Sequence, residues 1–146
     1  MLSIVLDTVV FVRSLINPHS RCGQIVFAHS SSFRLVLSQP VLVEIIEVLR
    51  RPELTRKFRN LAGLDHERVL DIISQVEVVP IEAPPAVSRD PTDDKFLATA
   101  RAAGADYLVS EDKDLLSLEY YRGTRIVDCA TFLTILGRQS STTYKP

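Results

Sequence analysis

Short apolar runs alternate along the chain with segments in which apolar residues recur every three or four positions. Runs of the first kind are typical of buried β-strands, and they lie at residues 2–6, 33–37, 77–81, 106–110 and 124–127. The run at 77–81 is the weakest, because Pro80 cannot donate a backbone hydrogen bond. Strands that alternate with helices indicate a parallel sheet covered on both faces. The pattern predicts an α/β fold with three layers, α/β/α, around a mainly parallel sheet of four or five strands.

The helical segments carry the start and stop signals of ordinary helices. The first follows Asp7 and ends before Asn17–Pro18, while Gly104 is placed to end the helix that Asp90 and Pro91 begin. In the helix that follows Ser38, the predicted apolar face consists of Val41, Leu42, Ile45, Ile46 and Leu49. Further helices are predicted at residues 22–30, 65–73 and 130–136.

The composition fits one compact domain. The chain has 146 residues, of which 46% are hydrophobic, and its net charge of -1 gives no overall basic field that would favour nucleic acid. No apolar stretch approaches the roughly 20 residues of a transmembrane helix. Cys22 and Cys129 lie in unrelated contexts, without C-x-x-C spacing or a disulfide framework. We expect a cytoplasmic protein with a single domain at residues 1–137 and a flexible tail at 138–146.

Acidic residues follow two of the predicted strands and open one of the helices. Asp7 and Asp112 come after strands, Asp93 lies in the first turn of its helix, and Glu44 lies on a neighbouring helix. The carboxyl ends of parallel strands share one edge of the sheet, and open α/β folds bind ligands there. Each acid alone fits a helix cap or a solvated position. Capping does not predict that all of them gather at one edge.

Four carboxylates in one cleft with no fixed cation repel one another. Two such charges about 4 Å apart repel by roughly 4 kcal/mol at an effective dielectric constant near 20. The cluster must therefore protonate, stay apart or bind a cation, and ligands that are all oxygen favour Mg²⁺ or Mn²⁺. Such an ion can orient a water, lower its pKa and stabilise the departing oxygen of a phosphodiester. The sequence offers neither a nucleophile paired with histidine nor a glycine-rich phosphate loop.

Taken together, these segments resemble the PIN domain family. The resemblance rests on Asp7–Thr8 after the first strand, on the helix that contains Glu44, and on residues 89–100 and 105–116. It extends from Leu2 to about Leu136 and is greatest to the branch described as toxins of toxin–antitoxin systems. It implies a PIN-like fold and a metal-dependent endoribonuclease. The acids that it implies are Asp7, Glu44, Asp93 and Asp112 as catalytic and metal-binding residues, with Asp114 as an accessory metal ligand.

The resemblance also implies partners. These are an RNA substrate, an antitoxin protein and a second copy of the chain in a homodimer, with Mg²⁺ or Mn²⁺ as the cofactor and no membrane contact. Ser110 matches the small hydroxyl residue that precedes the fourth acid of the family by two positions. A basic segment either contacts RNA phosphates beside the cleft or forms a solvated helix face, and it contains Arg50, Arg51, Arg56, Lys57 and Arg59.

Three alternatives stay open. The family usually has Asn or Ser where this chain has Val9, which favours a catalytically degenerate PIN fold that binds RNA or serves as a scaffold. Asp94 lies next to Asp93 and could replace it as the third ligand. A phosphate-accepting receiver domain also gathers acids and a metal at strand ends, but it needs an acidic pair after the first strand, and here Thr8 follows Asp7.

Overall fold

A computed structural model gives the fold of the chain. It describes residues 1–53, 56, 72, 74–81 and 93–143, with the backbone alone for residues 30 and 139–143. The predicted helix at 65–73, its cap Asp65, and the helix start at Asp90 and Pro91 lie almost wholly outside the described residues. The same is true of Lys57 and Arg59 in the basic segment.

In the described part of the chain, six strands form one sheet in the order β3-β2-β1-β4-β6-β5. All neighbours are parallel except β5 and β6, which are antiparallel. The strands are β1 at Leu2–Leu6, β2 at Phe33–Ser38, β3 at Glu77–Val79, β4 at Tyr107–Val109, β5 at Tyr120–Tyr121 and β6 at Thr124–Val127. The mainly parallel α/β prediction is confirmed. The prediction of four or five strands omitted β5, because two tyrosines before a tight turn give no apolar run.

The centre of the sheet is a topological switch point. From β1 the chain crosses to β2 on one side, and it later returns to β4 on the other side. In open α/β sheets the crevice beyond the strand ends opens at such a point. Ile4 pairs with Leu35 and with Tyr107 in register, so the ends of β1 and β4 lie side by side.

Six described helices connect and cover the strands. They are α1 at Thr8–Ile16, α2 at Arg21–Gly23 with a π-helical continuation at Gln24–Ala28, α3 at Gln39–Leu49, α4 at Asp94–Ala103, α5 at Lys113–Leu116 and α6 at Cys129–Thr143. Helix α4 packs against β1, β2 and β4, and Phe132 of α6 packs its ring against Phe33 and Tyr107. Gly104 ends α4 in the left-handed conformation, at φ 59°, as predicted. None of the described helices is long and apolar enough to cross a membrane.

Two helices differ from their predictions. Val41 and Ile45 of α3 are buried, but Ile46 is 41% exposed, because α3 turns the Val41–Ile45 side towards the core. Helix α6 continues beyond the predicted end at Leu136 to Thr143, so the backbone of most of the predicted tail at 138–146 is helical. Gly137 costs a helix only about 1 kcal/mol relative to alanine, which is too little to end it.

Candidate active site

A cleft of about 400 Å³ opens at the carboxyl ends of β1 and β4. Four of the predicted acids line it, and they come from four different parts of the fold: Asp7 follows β1, Glu44 lies on α3, Asp93 opens α4 and Asp112 follows β4. Thr8, Val9, Arg13, Phe96 and Glu111 complete its lining. The cleft therefore lies at the switch point of the sheet.

Asp7 is fixed in position by two hydrogen bonds. Its side chain is buried, Oδ1 accepts a hydrogen bond from the backbone N–H of Val10 at 2.7 Å, and Oδ2 accepts one from Ser110 Oγ. The first bond caps α1, so the helix-cap role and the site role coincide in this residue. The backbone N–H of Asp7 also donates to Val109 O at 3.1 Å, which ties the end of β1 to the end of β4.

Ser110 links the two acids that follow the strands. It is fully buried, and besides donating to Asp7 its Oγ accepts a hydrogen bond from the backbone N–H of Asp112 at 3.0 Å. Asp112 in turn accepts from the backbone N–H of Asp114 at 2.7 Å and caps α5. One hydroxyl thus sets the separation and orientation of the Asp7 and Asp112 segments.

The pKa of the Asp7 carboxyl lies above its usual value. Burial is the main cause, since it disfavours the charged form. The hydrogen bonds from Ser110 and Val10 act in the opposite direction, and the negative charges of Asp112 and Glu111 add to the increase. This balance is typical of a carboxylate held among other carboxylates in a site that gains from a cation.

Glu44 and Asp93 line the cleft from α3 and from the start of α4. Asp93 is buried and occupies the turn immediately before α4, and it lines the cleft, as predicted; Asp94 is also buried but is not among the lining residues. Glu44 Oε2 lies 2.7 Å from Lys95 Nζ. Helices α3 and α4 are joined further by the hydrogen bond from Thr99 Oγ1 to Ser38 Oγ at 2.7 Å. Ser38 precedes α3 as predicted, but its hydroxyl makes this bond and does not cap the helix.

The expectation of a cleft with no fixed cation is wrong. Lys95 neutralises part of the charge at Glu44, and Arg13 lines the cleft from α1. Arg13 has a sequence signal in retrospect, because it lies four residues after Val9, on the same face of α1. The contact of Lys95 with Glu44 has none, because it depends on how α3 and α4 pack. Carboxylates still outnumber cations around the cleft.

Two further acids flank Asp112 in the sequence. Asp114, the predicted accessory ligand, lies in the first turn of α5 and is not among the residues that line the cleft. Glu111 lines the cleft instead. Its position in the sequence gave no reason to select it over the neighbouring acids. The basic segment contributes Arg51, which lines a groove of about 440 Å³ that shares Thr8, Val9, Arg13 and Glu44 with the cleft.

The PIN domain family model matches residues 3–114 of the chain. The chain belongs to the PIN domain family. The match contains the four predicted acids and nearly all of β1, with β2 and β4 complete, so the cleft lies wholly within the family region. Comparison with curated proteins gave no match.

Three solved structures show the same fold. VapBC2 from Rickettsia felis, bound to a DNA fragment from its promoter, has a TM-score of 0.55 at 13% identity, covering 87% of this chain and 98% of that chain. PAE2754 from Pyrobaculum aerophilum has a TM-score of 0.54 at 17% identity, with 94% and 90% covered. DNA-bound VapBC from Salmonella typhimurium has a TM-score of 0.53 at 22% identity, with 88% and 99% covered. At these identities the similarity shows a shared fold and nothing further.

The donors in the cleft of this PIN domain are of the chemical type that a hard divalent cation prefers, although among the described residues no three of these carboxylates have oxygens within 4.8 Å of one another. Carboxylate oxygens are the ligands that Mg²⁺ and Mn²⁺ prefer. Thr8 adds a buried hydroxyl oxygen that has no hydrogen-bond partner within the described part of the chain. A buried polar atom without a partner is destabilising, and a water held by a cation in the cleft would satisfy it.

Proposed function

We propose that this PIN domain is an endoribonuclease that uses Mg²⁺ or Mn²⁺ to hydrolyse RNA phosphodiester bonds. The observation that carries the proposal is the meeting of Asp7, Glu44, Asp93 and Asp112 in one cleft, from four separate elements of the fold. Helix capping accounts for Asp7 and Asp112 individually but gives no reason for Glu44 and Asp93 to face them. Membership of the PIN domain family supports a nuclease.

The four acids have different roles in the proposed site. Asp7, held by Ser110 and Val10, supplies the fixed ligand around which the others are arranged. Asp93 enters the cleft from the start of α4, Asp112 from the end of β4, and Glu44 from α3. When bound, a divalent cation supplies the positive charge that stabilises a phosphodiester in its transition state and lowers the pKa of the attacking water. One carboxylate of the cluster accepts the proton of that water.

The arginines of the groove next to the cleft are evidence for a polyanionic substrate such as RNA. Arg13 lies where the groove meets the cleft, and Arg51 lies further along it, so two guanidinium groups flank the acids on one side. Guanidinium groups bind phosphate oxygens without reading the base sequence. An RNA strand that passes Arg51 and Arg13 brings a phosphodiester to the carboxylates, and its binding weakens as salt increases.

The cellular role that we favour is that of the toxin of a toxin–antitoxin pair. The fold is shared with the VapBC structures from Rickettsia felis and Salmonella typhimurium, both of which are bound to DNA. An antitoxin that covers the acidic cleft would block the access of RNA. A homodimer of the chain and a cytoplasmic location stay predictions.

A degenerate PIN domain that binds RNA without cutting it is the second candidate. The observation that favours it is Val9, which is 57% exposed and lines the cleft where the family usually has a polar residue. An apolar side chain there cannot position a water. The complete set of four acids argues for retained activity.

The test is cleavage of a mixed-sequence single-stranded RNA by the purified protein in Mg²⁺, Mn²⁺ or EDTA. Asp7→Asn and Asp93→Asn should each lower the rate by at least about 100-fold. Glu77→Gln is the matched control, because it removes a carboxylate that pairs with Arg34 at the β2–β3 side of the sheet, outside the cleft. Cleavage that survives both variants, or that persists in EDTA, would refute the proposal. Metal binding with no cleavage of any RNA would support the degenerate candidate.

A further inference from the structure

The two cysteines of the chain meet in the folded protein. Cys22 and Cys129 lie in unrelated sequence contexts, yet their Sγ atoms are 2.8 Å apart and both residues are buried. They are 107 positions apart in the sequence and are the only cysteines in the chain. Two sulfur atoms that merely pack together lie roughly 3.6 Å apart or more at van der Waals contact. The fold therefore holds this pair closer than ordinary packing requires.

The two sulfurs both lie at the start of a helix, but their pKa values differ. Cys22 is in the first turn of α2, which Ser20 caps, and Cys129 is the first residue of α6, where Asp128 accepts from the backbone N–H of Thr131 at 2.8 Å. The start of a helix favours a thiolate, whereas burial and the negative charge of Glu111 disfavour it at both sulfurs. The hydrogen bond from Cys129 lowers the pKa of Cys22, and the same bond raises the pKa of Cys129. The direction of this difference favours Cys22 as the attacking thiol and Cys129 as the resolving thiol.

One residue of the active-site cleft, Glu111, lies beside the pair. A carboxylate oxygen of Glu111 and the two sulfurs all lie within 4.8 Å of one another. Glu111 is exposed and lines the cleft. The cysteines themselves are buried and do not line the cleft, so the side of the pair next to Glu111 is the shortest route for an oxidant as small as hydrogen peroxide, once local packing opens.

We propose that Cys22 and Cys129 form a reversible intramolecular disulfide when the protein meets hydrogen peroxide. The Cys22 thiolate attacks one peroxide oxygen, the O–O bond breaks, and the sulfur becomes a sulfenic acid while the other oxygen leaves as water after protonation. Cys129 then attacks the Cys22 sulfur, the S–O bond breaks, and a second water leaves. Two thiols and one peroxide give one disulfide and two waters, and a dithiol reductant reverses the change.

A soft metal ion is the competing occupant. Cys22, Cys129 and Glu111 offer two sulfurs and one oxygen, a set that suits Zn²⁺. Around a tetrahedral zinc with Zn–S distances of about 2.3 Å, two sulfurs lie roughly 3.7 Å apart. The observed 2.8 Å is shorter than this separation, so the pair would have to open to admit the ion. Closing to a disulfide, with S–S of about 2.05 Å, takes a movement of less than about 1 Å.

The experiment is intact-mass and peptide mapping of the reduced wild-type protein before and after an equimolar dose of hydrogen peroxide. We expect a loss of about 2 Da, a cross-linked pair of peptides that contains Cys22 and Cys129, and full reversal by dithiothreitol. The cross-link closes a long loop, so we expect the Tm to rise by about 10 °C. Cys22→Ser and Cys129→Ser should show neither change, and their reduced forms supply the baseline.

Several outcomes would overturn the proposal. They are two thiols that stay alkylatable after oxidation, a disulfide between two chains, or conversion of Cys22 to a sulfinic acid with Cys129 unchanged. Stoichiometric zinc in the purified wild-type protein, lost in both serine variants, would assign the pair to a metal site instead. The cross-link, its reversal and the zinc content are all measured on the wild-type protein, so poor folding of a serine variant leaves the proposal testable.

Discussion

Ser110 donates its hydroxyl hydrogen to the buried carboxylate of Asp7, and through this bond the end of β4 holds the end of β1. The same oxygen accepts the backbone N–H of Asp112. Two acids that are far apart in the sequence are thus oriented by one small side chain. The residue that organises the cleft is therefore a positioning residue that carries no charge.

Ser110→Ala should lower the rate of RNA cleavage by about 10- to 100-fold, because Asp7 and Asp112 lose their common hydrogen-bond partner. It should also lower the free energy of unfolding by about 1–2 kcal/mol. Ser14→Ala is the matched control, since Ser14 is a fully buried serine of α1 whose Oγ donates to Phe11 O, and it does not line the cleft. The Ser14→Ala variant should lose a comparable free energy of unfolding and keep its rate of RNA cleavage. Equal losses of activity in both variants would contradict the positioning role.

Asp7→Asn should stabilise the metal-free protein by about 1 kcal/mol while abolishing cleavage, because it removes a buried negative charge that neighbouring acids repel. The sign follows from the raised pKa of Asp7. Its carboxyl contributes stability below the unfolded pKa, near 3.9, and loses that contribution as the pH rises through the higher folded pKa. Urea unfolding in EDTA at about pH 4 and about pH 7.5 should show the advantage of the variant growing with pH. An advantage that does not change with pH would contradict this reasoning.

Lys95→Met should raise the affinity of the cleft for Mn²⁺ several-fold, since the ammonium group at 2.7 Å from Glu44 competes with the cation for that carboxylate. Isothermal calorimetry measures the change directly. Arg34→Met is the control, because it breaks the exposed ion pair with Glu77 at 3.0 Å, away from the cleft. Weaker Mn²⁺ binding in Lys95→Met would show that Lys95 orients Glu44 and does not compete with the metal.

Asp128→Ala should lower the free energy of unfolding by about 1 kcal/mol, since α6 loses the acceptor for the backbone N–H of Thr131. Hydrogen bonds from Thr131 lower the pKa of Asp128. The stability that Asp128 contributes is therefore present above its unfolded pKa and is lost as the pH falls through its folded pKa. The free energies of unfolding of the wild type and Asp128→Ala should therefore become equal in acid. Asp128→Asn keeps an acceptor and should lose only part of the stability at about pH 7. In urea unfolding, a difference that persists unchanged at about pH 2 would contradict the assignment.

Local patterns predicted the parallel sheet well, because each central strand is a continuous apolar run and each cap or stop residue acts over a few positions. The strand at 2–6 and the left-handed Gly104 are examples. The antiparallel β5 was missed because its pairing with β6 depends on a turn that includes Gly123 and on no apolar pattern of its own. The end of α6 was placed too early because polar Ser and Thr residues are weak but tolerated helix formers.

The site was predictable only where strand ends determine it. Asp7 and Asp112 follow from the order of the strands, whereas Asp93 and Glu44 were placed beside them from a helix start and a neighbouring helix, a placement that the family resemblance also implied. Contacts between distant side chains carried no signal in the sequence. The Lys95–Glu44 pair and the Cys22–Cys129 pair depend on how α3, α4, α2 and α6 pack, and that packing is decided by the whole core.

The most direct test of the central claim is anomalous diffraction from crystals of the protein soaked in Mn²⁺. We predict a peak in the cleft, with carboxylate oxygens of Asp7 and at least two of Glu44, Asp93 and Asp112 within about 2.5 Å of it. The peak should vanish in Asp7→Asn and remain in Glu77→Gln. An empty cleft at saturating Mn²⁺, in crystals of a preparation that cleaves RNA, would contradict the claim that these four acids form the catalytic metal site.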